Sequence, residues 1–68
     1  MKTLSAVIIK EDDVYVAKCP EVGTVSQGST IEEAIENLKE ATELYLEEFP
    51  IDKLSKPLFT TFEVAVSA

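Results

Sequence analysis

Residues 30–49, TIEEAIENLKEATELYLEEF, decide the fold. Ile31, Ile35, Leu38, Thr42, Tyr45 and Phe49 recur at alternating steps of four and three, with Ala34 and Ala41 beside them. At about 100° per residue this is one stripe of an amphipathic helix, and the stripe is expected to be core. Thr30 followed by Glu33 is a capping box: the hydroxyl accepts from a first-turn amide and the carboxylate is expected to reach back to the Thr30 amide. Pro50 ends the helix, because a proline pushes the residue before it out of the α region and has no amide to donate.

The other face of this helix is acidic. Seven glutamates stand against one base, Lys39, so the helix holds six of the chain's seven net negative charges. Glu32/Glu36, Glu36/Glu40 and Glu43/Glu47 are like-charged pairs at i,i+4, each unfavourable by roughly 0.2–0.5 kcal/mol. Two readings stand side by side: a solvated helix face, or a docking surface for a basic partner. On the second, the candidate partner-binding residues are Glu36, Glu40, Glu43, Leu44 and Glu47, with Leu44 set among the glutamates.

Upstream, the β-branched stretch 1–10 reads as a strand with Leu4, Ala6 and Ile8 on one face and Ser5, Val7 and Ile9 on the other. Its end is therefore apolar on both sides, and a single helix covers only one. Glu11-Asp12-Asp13 is a polar turn, and residues 14–18 return as a second strand to make a hairpin. Three adjacent acids in a turn lack the spaced ligands of a calcium loop, so no metal site is expected there. Pro20 and Gly23 break the second strand, and residues 24–27 fit a short third one. Cys19 has no histidine in the chain to activate it and reads as a small structural residue. Downstream, residues 50–57 (PIDKLSKP) are a linker, with Ile51 and Leu54 expected to tuck against the domain. Residues 58–66 (LFTTFEVAV) are expected to be a last strand, Leu58, Phe62, Val64 and Val66 on one face and Phe59, Thr61, Glu63 and Ala65 on the other. That strand is expected on its own sheet or on the edge of another protomer. The order β-β-β-α-β makes one α+β domain over residues 1–68.

Composition narrows the function. At 46% hydrophobic and 28% charged the chain is globular, and a net charge of −7 argues against binding phosphate-rich partners or anionic membranes. A core from 68 residues rarely supplies more than roughly 3–5 kcal/mol without a disulfide, a metal or oligomerisation. One cysteine and no histidine exclude an internal disulfide and a Cys/His zinc site, which leaves oligomerisation. The lone cysteine and the lack of a signal peptide or a membrane-spanning apolar run lead to a cytoplasmic expectation.

Tyr15-Val16-Ala17-Lys18-Cys19-Pro20-Glu21, then Gly23, then Gly28-Ser29-Thr30-Ile31-Glu32-Glu33-Ala34 and residues 37–41 resemble, in order and without a gap, the N-terminal domain of HicB-family antitoxins. The resemblance implies a partial ribonuclease-H-like fold without catalytic residues. It also implies an antitoxin of a type II toxin–antitoxin system, a homodimer or homotetramer that occludes a small basic HicA-like ribonuclease, with no cofactor and no chemistry of its own. Many members of that family continue into a DNA-binding module; this sequence stops at Ala68, and direct DNA binding is not expected. A stand-alone homo-oligomeric scaffold or small-ligand-binding protein is the alternative, and an enzyme the remaining class.

Overall fold

The computed structural model describes residues 2–50 and 57–67. Strands β1 (Val7–Glu11), β2 (Val14–Lys18) and β3 (Val25–Gly28) precede one helix, α1 (Ile31–Glu48). The strands form one antiparallel sheet in the order β1-β2-β3, and the molecule is an α+β domain with a three-stranded sheet and one helix.

The hairpin closes over two residues, since Glu11 faces Val14. Asp12 enters the left-handed region there at φ 54°, a conformation that aspartate tolerates better than most residues. After β2 the chain turns through Gly23 at φ 94°. The Gly23 amide donates to the Cys19 carbonyl at 2.7 Å and the Cys19 amide to the Thr24 carbonyl at 2.9 Å, which starts β3.

Register sets the two faces of the sheet. Ile8 faces Ala17, and Ala17 faces Ser26; Tyr15 faces Gly28. These residues lie under the helix, where Ala17, Cys19, Ala34 and Leu38 form the buried core, flanked by Leu4, Ile8, Tyr15 and Val22. The helix crosses close to β3. A Cβ on Gly28 would sit 2.6 Å from the Ala34 amide nitrogen, so only glycine allows this approach.

At the start of α1 the Thr30 hydroxyl accepts from the Glu33 amide at 3.0 Å, as the capping box requires. The return bond is displaced by one residue: the Glu33 carboxylate accepts from the amide of Ser29, not Thr30, at 3.0 Å. Phe49 closes the helix, its amide donating to the Tyr45 carbonyl.

The stripe is only partly core. Ala34, Leu38 and Thr42 are buried and Ala41 and Leu46 half-buried, whereas Ile31, Ile35, Tyr45 and Phe49 are exposed. Close contact with Gly28 centres the packing on the small side chains, and the large ones overhang the sheet. Thr42 lies in the core because its hydroxyl pairs with that of Thr24 at 2.6 Å.

The expectation of a last strand on the chain's own sheet is corrected. Residues 57–67 carry no strand, and their large apolar side chains lie in solvent, Leu58 at 90% and Phe62 at 84% exposure. A strand needs a ladder to join, and within the described residues this segment has none. The radius of gyration, 14.2 Å, exceeds the roughly 11 Å of a compact chain of this length, as a projecting tail requires. Ile51 and Leu54 lie outside the described residues.

Candidate functional site

Three surfaces of this domain are unlike an ordinary solvated exterior. The first is the sheet face turned away from α1. By alternation along the ladders it presents Val7 and Ile9 of β1, Val14 and Val16 of β2 and Val25 of β3. Ile9 is 45% and Val25 55% exposed, and no element of the described chain covers them. Val7, Ile9, Val14 and Val16 adjoin one another on this open face, with Lys18 between Val7 and Val25 and Gln27 beside Val16, an apolar patch with a polar rim of the kind that marks an interaction site.

The second is a cleft of about 490 Å³ between α1 and the N-terminal segment. Because α1 lies over β3 and β2, the side of the sheet nearer β1 is left uncovered. Leu4 and Ala6 form one wall, Ile35 and Leu46 the other, with Cys19 at the base. The Glu21 carboxylate holds the first wall in place: both of its oxygens accept from the Ser5 amide at 3.0 Å. Hydrogen bonding from Ser5, through its side chain first, keeps the Glu21 carboxyl below its ordinary value, against an opposing push from desolvation. The Cys19 thiol is buried and donates to the same carboxylate at 3.5 Å. It is a packed structural cysteine, as its lack of a histidine partner predicts.

The third surface is the acidic helix face. Glu36, Glu40, Glu43, Leu44 and Glu47 are all exposed, and their spacing puts them on one side of α1. Leu44 is 57% exposed among the glutamates. Glu43 stands at the lip of the cleft and links the two surfaces. The cleft is not singled out by the sequence, where Ile35 reads as core; the structure places Ile35 with Leu46 on one wall of it. Among the described residues no group of three or more metal-binding side chains converges, including at Glu11, Asp12 and Asp13. No described helix is long and apolar enough to cross a membrane.

The class defined by this fold is a small α+β domain with one helix on a three-stranded antiparallel sheet. A UPF0150 protein of Helicobacter pylori is 47% identical over 53 residues, which are 76% of this chain and 74% of that protein. A UPF0150 protein of Synechocystis is 38% identical over 47 residues, 68% of each chain. Another from Synechocystis is 57% identical over 37 residues, 53% of this chain and 47% of its own length. The chain belongs to the UPF0150 family. No family model matches it, and no solved structure does.

Proposed function

We propose that this protein works by binding and not by catalysis: it is a self-associating scaffold or ligand-binding domain whose apolar surfaces are built to be covered. The observation that carries this reading is the amount of large apolar side chain left in solvent by a domain with four buried apolar residues among those described. Val7, Ile9 and Val25 on the sheet, Ile35 on the helix and Leu58, Phe59, Phe62, Val64 and Val66 beyond it are all exposed. A core this small gains stability when such surface is removed from water, at about 25 cal/mol per Å².

A second reading is favoured by a separate observation, the acidic strip Glu36, Glu40, Glu43 and Glu47 around Leu44. Together with the resemblance to HicB antitoxins, it supports occlusion of a small basic HicA-like ribonuclease. Complementary charge would speed encounter and make it salt-dependent. Self-association through the sheet and toxin binding along the helix use faces that meet at Glu43 on the lip of the cleft.

Tagged chain used as bait in its host's lysate at low and moderate salt distinguishes the two. The antitoxin reading expects a small basic protein that elutes with salt, degrades RNA once freed, and is silenced when the chain is added back. Charge reversal at Glu36, Glu40 and Glu47 should weaken that capture and leave folding intact. Recovery of copies of the chain alone, with a toxin demonstrably expressed, would remove the antitoxin reading and leave the scaffold or ligand-binding one.

A further inference from the structure

We propose that residues 58–66 form a strand in trans, lying along the free edge of β1 in a second copy and filling the cleft beneath its helix, while that copy returns its own segment. The inference rests on the self-association reading and specifies how it is achieved.

The two edges of the sheet are not equivalent. On β3 the Asn37 side-chain amide donates to the Gln27 carbonyl at 2.8 Å, which occupies an outward backbone acceptor and leaves less of that edge for a new strand. On β1 no described strand pairs with the outer side. Unpaired edge groups of this kind are a template for an added strand. The cleft continues from the start of this edge, between the segment that leads into β1, with Leu4 and Ala6 on one wall, and α1, with Ile35 and Leu46 on the other.

Residues 58–66 match that space. Extended, the segment puts Leu58, Phe62, Val64 and Val66 on one face, suited to the apolar cleft, and Phe59, Thr61, Glu63 and Ala65 on the other, beside the open sheet face of Val7 and Ile9. At about 3.3 Å per residue it spans about 30 Å, enough to run along the five residues of β1, about 17 Å, and on past the N-terminal wall of the cleft. Two phenylalanines bury about 150–250 Å² each. With Leu58, Val64 and Val66, and with the exchange counted in both directions, the area passes the roughly 1,200 Å² at which stable interfaces begin.

A second copy is the occupant because each chain carries one unused strand and one unfilled edge. The chain's own segment stands away from its cleft, with Phe62 84% and Val66 82% exposed. Reciprocal exchange between two copies satisfies both and closes under two-fold symmetry with nothing left over.

The test uses the full chain and two variants, Phe62→Glu and Ile35→Glu, each altering a side chain that is exposed within one copy and buried in the exchanged dimer. By light scattering, the unaltered chain is expected at twice its 7.5 kDa mass or an even multiple. Each variant should keep its helical circular dichroism and dimerise about 30-fold or more weakly. Mixed in equal amounts, the two should associate more tightly than either does alone, because the heterodimer keeps one unaltered strand in one unaltered cleft and gathers both changes in the other. A 7.5 kDa particle for the unaltered chain would overturn both the exchange and self-association. Variants that dimerise like the unaltered chain, or a mixture that associates no more tightly than the separate variants, would overturn the exchange alone.

Discussion

The β3 side and the β1 side of this domain are built on opposite principles. Against β3, the helix comes as close as a backbone can: Gly28 touches the first turn, Ala34 and Ala17 are wholly buried, and the Thr24 and Thr42 hydroxyls satisfy each other. On the β1 side, large side chains line an open cleft between α1 and the segment leading into β1, and an uncovered sheet face. Small residues thus seal the half that folds by itself, and large apolar ones are left where a second surface has to come. The difference separates what the chain does for its own stability from what it does for association.

The sharpest way to break the closed side is Gly28→Ala. Its new Cβ would meet the Ala34 amide nitrogen at 2.6 Å and Glu33 at 2.9 Å, and backbone cannot step aside as a flexible side chain does. Overpacking of this kind costs about 1–3 kcal/mol, to be read as a fall in the midpoint of urea unfolding. Alanine substitution at Gly23, where the new Cβ would meet nothing within 4 Å, would strain only the positive φ and is the control.

A comparable loss is expected from Thr42→Val, which leaves the Thr24 hydroxyl without its partner at a cost of about 1–3 kcal/mol. Thr24→Val on top of it should recover much of that loss, because no half-satisfied hydroxyl then remains. A double variant as unstable as the sum of the singles would show that the hydroxyl pair is not coupled.

The smallest effect concerns the clamp on the cleft wall. Glu21 has a folded-state value below its ordinary one, so its contribution is present above the unfolded value and is lost as pH falls through the folded value. Glu21→Gln should therefore be slightly less stable than the unaltered chain at neutral pH, with the gap closing in acid. A gap that widens on acidification would contradict the Ser5 contact as its cause.

Much of this architecture was legible in the sequence. The helix, its Thr30 cap, the hairpin around Asp12 and Asp13, and the packed Cys19 follow from spacing and turn chemistry. What escaped follows from size and partnership. Apolar periodicity counts Ile35 and Ala34 alike, but contact with Gly28 admits only the smaller, so Ile31, Ile35, Tyr45 and Phe49 moved outward. Residues 58–66 have strand composition, yet pairing is a property of two segments, and the described chain provides no second one for them. The acidic strip was placed correctly on one exposed side; its role depends on a partner and is not encoded in its position.

The account turns on whether the β1 side is covered by association, and hydrogen exchange measured across a range of protein concentrations tests this most directly. Amides of β3 and α1 should be protected already at the lowest concentration and rise only as far as association raises global stability. Amides of β1 and of residues 58–66 should gain protection together as concentration rises through the micromolar range. Protection of those two regions that stays low and unchanged with concentration would contradict the claim that this side is an association surface.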